Sequence, residues 1–227
     1  ELRTPLNSII GFTGILLQGL GGSLNDEQTK QMTIVKNSAK HLLSLVSDVL
    51  DLSKIEAEQL TVEMETFSLQ GAIAKVVQTV RPLAEKKGLE IALDIAEDVD
   101  HVVADERRVE QILLNLLSNA VKFTEQGGIS VSCKREAGHY LTTITDTGIG
   151  IKSEDLGHLF KPFRQLNTGL SRKYEGTGLG LSICMRLAGL MGGKVGVKSE
   201  YGKGSTFWFT LPLETGKETP EDIKTED

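Results

Sequence analysis

The hydrophobic residues of the first 60 positions recur with the spacing of an α-helix. In two successive stretches they alternate at intervals of three and four residues, which are heptad spacings typical of packed helices. The recurring positions are Leu2, Leu6, Ile9, Thr13, Leu16 and Leu20, followed by Met32, Val35, Ala39, Leu42, Val46 and Val49. Residues 19–23 carry a turn signal, and Asn25 or Asp26 can cap the second helix. The pattern predicts an antiparallel helical hairpin.

Further apolar residues make both stripes broader than one hairpin can bury. Ile10 and Leu17 widen the first stripe, and Leu43 and Leu50 widen the second. Two hairpins that join in a four-helix bundle would cover faces of this width, so we expect a homodimer through residues 1–60. The alternative is that the stripes pack against the second half of the same chain.

Beyond about residue 60 the period changes, and strand patterns alternate with helical ones. We predict strands at residues 60–67, 89–95, 101–104, 128–134, 140–145, 194–199 and 205–213, and helices at 68–87, 105–121 and 180–191. Ser68 and Asp105 can cap the first two of these helices. Helices interleaved with paired strands predict an α/β sandwich, so the fold class of the whole chain is α+β. The predicted division is a hairpin at 1–60, a linker or first strand at 61–67, a sandwich domain at 68–213 and an acidic tail or linker at 214–227.

Composition excludes several broad classes of protein. The chain of 227 residues is 39% hydrophobic and 25% charged, which is ordinary for a globular protein and rules out wholesale disorder. A net charge of −6 argues against a nonspecific nucleic-acid binder, which needs excess positive charge, so we expect no nucleic-acid partner. Cys133 and Cys184 are too few for a zinc or disulfide framework and fit a reducing cytoplasm.

The uncharged segment near the start of the chain is not a membrane span. Pro5 and five glycines interrupt residues 4–25, so these residues do not form a continuous apolar stretch. We expect no membrane contact within this chain, although a parent protein could be anchored through a segment upstream. Residues 214–227 hold six acids and two lysines, and this acidic segment could lead to a further domain.

Two glycine-rich segments are candidates for binding phosphate. Asp146-Thr-Gly-Ile-Gly-Ile151 follows a predicted strand, and Gly176-Thr-Gly-Leu-Gly-Leu181 precedes a predicted helix. Glycines let the backbone approach a ligand closely, and a helix N-terminus offers unpaired N–H groups to a phosphate. Neither segment matches the dinucleotide fingerprint, and the sequence has no P-loop motif. Taken alone, each segment could be no more than a turn.

The helix predicted at residues 105–121 carries polar residues where a core helix has apolar ones. Asn115 and Asn119 lie four residues apart on one face, and Lys122 follows one turn later. One interpretation is a buried amide network whose hydrogen bonds are satisfied. The other is a pair of amide oxygens that hold a hard cation, with the lysine on a phosphate.

The order of these motifs resembles the ATP-binding domain of sensor histidine kinases. Residues 115–123 are similar to the N box of that family, 146–150 to its first glycine box, 160–163 to its F box, 176–180 to its second glycine box and 202–206 to its third. The resemblance covers residues 68–213. It implies the nucleotide-binding fold that histidine kinases share with chaperone ATPases and DNA gyrases.

The first six residues, Glu-Leu-Arg-Thr-Pro-Leu, resemble the histidine box of the dimerisation and phosphotransfer domain, H-E-x-x-[NT]-P-[LI]. In that pattern the phosphoacceptor histidine immediately precedes Glu1. We therefore expect this chain to bind ATP without phosphorylating itself at the usual position. The preceding position lies about 200° around the helix from Leu2, on the outer face of the bundle. The resemblance implies that Glu1 is the general base toward the histidine and that Thr4 orients water during dephosphorylation.

The resemblance also implies roles in binding Mg²⁺ and ATP. Asn119 would coordinate Mg²⁺ with Asn115 in support, Lys122 would contact phosphate, Phe123 would pack near the nucleoside, and Asp146 would accept a hydrogen bond from the adenine amino group. The other implied ATP-binding residues are Gly148, Gly150, Ile151, Phe160, Arg164, Gly176, Thr177, Gly178, Leu179, Gly180, Leu181 and Thr206.

Residues 160–177 resemble the lid over ATP in this family. Arg164, Arg172 and Lys173 are cations that could screen phosphate charge, or they could be ordinary solvated loop residues. Some family members carry an arginine at the position of Gln165, where it can reach the γ-phosphate. Which lid cation takes that role here is left open.

By this resemblance the full protein would be a cytoplasmic kinase whose partners are a second copy of the chain and a response-regulator receiver domain. Two other functions stay in view. One is a serine kinase or chaperone-type ATPase of the same fold, which an acid-stable phosphoprotein would favour. The other is a dimeric scaffold that binds nucleotide only to set its conformation.

Overall fold

The computed structural model of the protein describes residues 1–164 and 177–213. The chain divides after residue 60 into two compact units, a helical hairpin and a sandwich domain. Each unit is described by itself.

The hairpin consists of α1 (Arg3–Leu17) and α2 (Asp26–Glu56). Gly19, with a φ of +77°, ends α1 in a left-handed turn. The Gly19 N–H donates to the Leu16 carbonyl over 3.0 Å, and the Leu20 N–H donates to the Ile15 carbonyl over 3.3 Å. The prediction that the heptad pattern continues to Leu20 is therefore wrong. Leu20 lies beyond the helix and is 73% exposed.

Asn25 is the residue that caps α2. Its Oδ1 accepts the Gln28 N–H over 2.8 Å, and the Gln28 Oε1 accepts the Asn25 N–H over 3.0 Å. This reciprocal capping box satisfies two backbone donors at the start of a 31-residue helix. Of the two predicted caps, Asn25 is therefore the N-cap, and Asp26 is the first residue of the helix.

A single hairpin buries only part of its apolar stripes. Leu6, Ala39 and Leu52 are buried. Along the same two stripes, Leu2, Ile9, Val35, Leu42 and Val49 are each more than 40% exposed. The hairpin therefore presents a row of large apolar side chains on its own surface, a pattern typical of a surface that another molecule covers.

The sandwich domain begins with a two-stranded sheet. β1 (Glu65–Ser68) pairs antiparallel with β3 (His101–Ala104). The predicted strand at residues 60–67 is wrong for residues 60–64, because β3 has four residues and the ladder ends where Glu65 meets Ala104. Ser68 caps the following helix as predicted, since its Oγ accepts the Gly71 N–H over 3.1 Å.

A five-stranded sheet forms one layer of the sandwich. Its strands are β2 (Glu90–Ile95), β4 (Gly128–Glu136), β5 (His139–Asp146), β6 (Val195–Glu200) and β7 (Gly204–Pro212). Their order is β2-β4-β5-β7-β6, and only the β2–β4 pair is parallel.

Helices form the second layer. They are α3 (Leu69–Glu85), α4 (Glu106–Phe123) and α6 (Gly180–Leu190), and a short helix α5 (Ser153–Leu156) lies where the sequence predicted no helix or strand. In β5, Tyr140, Thr142, Ile144 and Asp146 are buried, while the residues between them are half-buried. This alternation places one face of the sheet against the helices. The architecture confirms the predicted α+β class.

Asp105 caps α4 from the position that the sequence predicted. Its Oδ1 accepts the Arg108 N–H over 3.1 Å. Its Oδ2 accepts the Glu63 N–H over 3.1 Å, so the same buried carboxylate also holds the segment that precedes β1. Within the described residues, no helix is both long enough and apolar enough to cross a membrane.

Candidate functional site

Two asparagines of α4 and one cysteine of α6 form a chain of hydrogen bonds. The Asn119 Nδ2 donates to the Asn115 Oδ1 over 3.2 Å, and the Asn115 Nδ2 donates to the Cys184 Sγ over 3.1 Å. We call this chain the amide relay. Both asparagines are half-buried, whereas Cys184 is buried. Because each bond in the relay uses an amide nitrogen as donor, the Asn119 Oδ1 is left as the acceptor at the outer end.

The first residue of α6 packs directly against the relay. A Cβ atom at Gly180 would lie 2.7 Å from the Asn115 Oδ1 and closer still to its Nδ2, so any other residue would displace the Asn115 side chain. The predicted N box and second glycine box therefore meet at this contact. Leu179, the N-cap of α6, makes no side-chain capping bond. The first turn of α6 consequently has backbone N–H groups suited to an anion.

The segment before α6 is held by local contacts. The Leu179 N–H donates to the Thr177 Oγ1 over 2.9 Å. Gly178 lies against the backbone of Phe163 and Arg164, where an added Cβ would come 2.9 Å from the Arg164 carbonyl oxygen. The end of the F box and the second glycine box are therefore in contact.

Asp146 places a buried carboxylate at the end of β5. It is 5% exposed, and its Oδ1 accepts the Gly148 N–H over 2.8 Å. Burial raises the pKa of this carboxyl, while hydrogen bonds from the Gly148 and Ser205 backbones act in the opposite direction. A buried carboxylate that still has acceptor capacity is suited to bind an N–H donor of a ligand.

The last carbonyls of α4 are satisfied from two other elements. The Lys87 ammonium donates to the carbonyls of Val121 over 2.7 Å, Lys122 over 3.0 Å and Thr124 over 3.1 Å. The Phe123 carbonyl accepts the Ile149 N–H over 3.3 Å. A cation at a helix C-terminus also interacts favourably with the helix dipole. Lys87 and the first glycine box thus fix the turn that carries Lys122 and Phe123.

Lys122 is partly withdrawn from water beside an aromatic ring. Its Nζ lies 5.0 Å from the centre of the Phe123 ring, within reach of a cation–π interaction. Burial lowers the pKa of this ammonium, because the charged form loses hydration. A phosphate at this position would offset that loss.

Two serines connect the first and third glycine boxes. The Ser199 Oγ accepts the Ile151 N–H over 2.8 Å and donates to the Gly204 carbonyl over 2.8 Å. It also lies 3.0 Å from the Ser205 Oγ. Ser205 is the register partner of Asp146 and, like Asp146, is buried. The loop after Asp146 is therefore tied to the end of the β6–β7 hairpin.

No protein cage for a metal accompanies these groups. In the two described ranges, no set of three or more histidine, cysteine, aspartate or glutamate side chains could hold a metal ion. A cation at Asn119 would therefore need most of its ligands from a bound molecule and water.

Known proteins match both units. Residues 104–215 match the family described as histidine kinase-, DNA gyrase B-, and HSP90-like ATPase, and residues 1–58 match the His Kinase A (phospho-acceptor) domain. The signal transduction histidine-protein kinase BarA of Escherichia coli K12 is 41% identical over 220 residues, which cover 94% of this chain. The crystal structure of full-length ShkA in complex with AMPPNP is 37% identical, with a TM-score of 0.78 over 94% of this chain and 44% of ShkA.

The chain belongs to the histidine kinase family. Its two domains are those of ATP-dependent histidine kinases, so the kinase resemblance of the N and glycine boxes is confirmed at the level of the family. The chain spans about a quarter of the length of BarA, 24%. The complex of histidine kinase ThkA with the response regulator protein TrrA, which is 24% identical, has the same fold with a TM-score of 0.66 over 93% of this chain and 60% of that one.

Contacts between the boxes bring several of the predicted ATP-binding residues together. Phe160, Thr177 and Leu181 are half-buried, Ile151 and Leu179 are buried, and Arg164 is exposed. Gly148 lies against the Phe123 carbonyl, and Gly150 lies against the Glu200 backbone. Gly176 and the lid residues Gln165, Arg172 and Lys173 lie outside the described residues.

The predicted ATP-binding residue Thr206 pairs with a residue other than Asp146. The Thr206 Oγ1 is 3.1 Å from the Oγ1 of its register partner Thr145. Since side chains alternate along a strand, this pair lies on the opposite face of the sheet from Asp146, and Ser205 shares the Asp146 face instead. Glu1 and Thr4 are exposed at the start of the hairpin.

Sequence reasoning did not find four residues that shape the kinase site. Cys184, Lys87, Ser199 and Ser205 act through contacts with residues far away in the sequence. Only Ser205 had a usable signal, because it lies inside the third glycine box beside the predicted Thr206. Choosing between the two needed the strand register, which the sequence does not contain.

Proposed function

We propose that this kinase core transfers the γ-phosphoryl group of ATP, bound with Mg²⁺, to a histidine and then to an aspartate of a response-regulator receiver domain. The observation that carries the proposal is the contact between the amide relay and Gly180. It brings an outward amide oxygen beside the N-terminus of α6, where a triphosphate and its cation would bind. The kinase families matched by both domains support it.

The residues present fit Mg²⁺ that arrives with the nucleotide. An amide oxygen is a hard ligand, and Mg²⁺ commonly binds through one or two protein oxygens, substrate phosphates and water. Asn119 would hold the cation and Asn115 would support it. When bound, the cation neutralises phosphate charge and favours phosphoryl transfer.

The chain's own groups would bind and orient the two ends of ATP. The Asp146 carboxylate would accept a hydrogen bond from the adenine amino group, with Ser205 beside it in place of Thr206. Lys122 and the N–H groups at the start of α6 would hold phosphates. Because burial already withdraws Asp146 and Lys122 from water, their interactions with ligand charge and donors are strengthened.

Glu1 and the neighbouring histidine would supply the acceptor chemistry. In the histidine box, a carboxylate that accepts one imidazole N–H makes the other ring nitrogen more nucleophilic. That nitrogen attacks the γ-phosphorus while the bond to the β,γ-bridging oxygen breaks, and ADP leaves. The imidazole proton passes to the Glu1 carboxylate. Thr4, one turn further along α1, would orient the water that hydrolyses the phosphoryl group of the phosphorylated partner.

The partners of the full kinase follow from the hairpin. Large apolar residues on its surface support a homodimer, and the phospho-acceptor domain match supports phosphotransfer to a receiver domain. ThkA in complex with TrrA is an example of a kinase of this fold with a response regulator. We place the reaction in the cytoplasm, where ATP is available.

Asn119→Asp tests nucleotide binding. The substitution keeps the size of the side chain but puts a negative group beside phosphate and replaces the donor to Asn115. Calorimetry should show Mg-ATP affinity weakened at least tenfold, which is about 1.4 kcal/mol. Asn37→Asp, on the exposed surface of α2, is the matched control and should bind as the wild type does. Unchanged affinity of folded Asn119→Asp would refute the metal assignment.

A chain extended by one histidine before Glu1 tests the phosphotransfer. With radiolabelled ATP it should give an acid-labile, alkali-stable phosphoprotein, whereas the chain without this histidine should give none. Glu1→Gln in the extended chain should slow labelling by roughly 10² to 10⁴, the usual effect of losing a general base, with little change in ATP affinity. An acid-stable product would instead favour a serine kinase, and binding without any labelling would favour the scaffold.

A further inference from the structure

Cys184 is a buried thiol in direct contact with the N box. It is 1% exposed, in the second turn of α6, and its sulfur accepts the Asn115 Nδ2–H over 3.1 Å. A buried free cysteine ordinarily serves as a small apolar side chain. Here the sulfur instead belongs to a polar chain that includes the proposed metal ligand Asn119.

Which amide groups of the relay donate and which accept depends on the group that Asn115 meets at Cys184. The Asn115 amide has an oxygen on one side and an NH₂ group on the other, and its NH₂ group faces the sulfur. If this amide were rotated by half a turn, its NH₂ group would face the NH₂ group of Asn119, and its oxygen would face the sulfur. Unless the Asn119 amide turned as well, the contact between the asparagines would then lose its hydrogen bond, and the sulfur could meet the Asn115 oxygen only through its weak S–H donor. A Cys184 sulfur that accepts rather than donates therefore favours the orientation of the Asn115 amide seen here.

Packing leaves rotation as the main freedom of the Asn115 amide. Gly180 lies so close to it that an added Cβ would be 2.9 Å from the Asn115 Cγ, so the amide has no room to move toward α6. Asn119 approaches from the preceding turn at 3.2 Å. A group that fixes the rotation of Asn115 consequently fixes which atom Asn119 turns outward.

We propose that Cys184 is a positioning residue that orients the Asn115 and Asn119 amides, so that Asn119 presents its oxygen to a divalent cation. The sulfur touches neither nucleotide nor metal, and its effect passes through two hydrogen bonds. The consequence for Mg²⁺ rests on the proposed function, while the orientation of the amides exists without nucleotide. Outer-shell groups of this kind typically change metal affinity by 10–100-fold when they are removed.

Three variants separate orientation from packing. Cys184→Val puts a compact apolar side chain in place of the thiol and removes the acceptor. Cys184→Ser keeps an acceptor. Cys133→Val is the matched control, because Cys133 is equally buried and its sulfur accepts the Thr142 hydroxyl over 3.3 Å within the sheet.

The first measurement is made without nucleotide. The side-chain NH₂ resonances of Asn115 and Asn119 should shift in Cys184→Val, while Cys184→Ser and Cys133→Val should leave those of Asn119 near their wild-type positions. Resonances of Asn119 that do not change in Cys184→Val would overturn the proposal. This outcome is independent of whether the protein binds ATP.

The second measurement is a Mg²⁺ titration of ATP binding, compared with ATP binding in the presence of a chelator. In Cys184→Val we expect the Mg²⁺ midpoint to rise about tenfold with little change in metal-free ATP affinity, and Cys184→Ser should recover most of the loss. An equal rise in Cys133→Val would show a general packing effect and overturn the proposal. A wild type that binds no Mg-ATP would refute the proposed function instead, and the amide resonances would still decide the role of Cys184.

Discussion

Gly180 and Asn115 occupy a contact that has no room for a single additional carbon atom. A Cβ atom on Gly180 would lie 2.7 Å from the Asn115 Oδ1 and 2.9 Å from its Cγ. The two residues come from different predicted boxes, 65 positions apart in the chain. Their contact lies where we propose that the phosphates of ATP bind.

Gly180→Ala should therefore displace Asn115 and weaken ATP binding at least tenfold, about 1.4 kcal/mol. Gly189→Ala in the same helix is the matched control, because no atom lies within 4 Å of the added Cβ. That control should bind ATP normally and gain about 0.5–1 kcal/mol of stability, since alanine favours a helix over glycine. Calorimetry and urea unfolding measure the two effects. Equal affinities for the two variants would contradict the close contact.

Asp146→Asn should separate the stability of the fold from ATP binding. Burial raises the pKa of the Asp146 carboxyl, so the folded protein holds this proton more tightly than the unfolded chain does. Stability from this group is therefore greatest below the ordinary aspartate pKa of about 3.9 and falls as pH rises through the folded-state pKa. Asparagine has no charge to bury, so the variant should gain stability relative to the wild type as pH rises over this window.

The same variant should lose at least tenfold in ATP affinity, because the carboxylate that would accept the adenine amino group is gone. Asp94→Asn, at an exposed carboxylate of β2, is the control for both measurements. Urea unfolding at several pH values gives the stability difference, and calorimetry gives the affinity. A stability difference independent of pH would contradict the raised pKa of Asp146.

Lys87→Met should loosen the end of α4. It removes the ammonium that bonds three carbonyls and keeps most of the aliphatic length. We expect unfolding to become easier by about 1–2 kcal/mol, the range for a cation at a partly buried helix C-terminus. ATP affinity should fall several-fold because Lys122 and Phe123 lie in that turn.

Lys86→Met is the matched control for Lys87, since it removes an exposed lysine one residue earlier. It should change neither unfolding nor ATP binding. Hydrogen exchange at the Thr124 amide, which donates to Ala120 at the end of the helix, offers a local measurement. Faster exchange in Lys87→Met than in Lys86→Met is the expected result, and equal rates would show that Lys87 does not fix this turn.

Leu42→Lys should prevent the hairpin from dimerising. Leu42 is 48% exposed in a single chain and lies on the apolar stripe of α2. A lysine there would bury an unpaired ammonium in a four-helix bundle, which is strongly unfavourable. Light scattering at tens of micromolar should show a dimer for the wild type and for His41→Lys, a neighbouring exposed position off the stripe, but a monomer for Leu42→Lys. A monomeric wild type would refute the dimer.

Hydrophobic periodicity predicted the elements of the fold well, because the buried positions of each helix or strand repeat with the period of that element. Ser68 and Asp105 cap their helices as expected, and β3 has the predicted bounds at His101–Ala104. The prediction was wrong for the first strand, whose length is limited by the strand that pairs with it. Residues 60–64 alternate like a strand, but β3 is too short to pair with them.

The sequence identified the motifs of the candidate site more readily than the individual residues that form it. Asn115, Asn119 and Asp146 were candidates from the sequence because their residue types carry the chemistry. Cys184 and Lys87 were not candidates, because a buried cysteine and an exposed lysine are ordinary residues in a sequence. Cys184 contacts a residue 69 positions away, and Lys87 contacts residues 34–37 positions away, and the sequence does not show these contacts. The choice between Ser205 and Thr206 depended on strand parity relative to Asp146, which only the register supplies.

The carboxylate of Asp105 gives the helix of the N box a mechanical connection to the chain that enters the sandwich domain. It holds the first turn of α4 and the backbone of Glu63 at the same time. From Asp105 to Asn119 the helix axis runs about 21 Å at 1.5 Å per residue. An α-helix is stiff along its axis, so a force on the backbone at Glu63 acts on one end of a stiff rod. The other end of that rod carries the amide that would meet the cation.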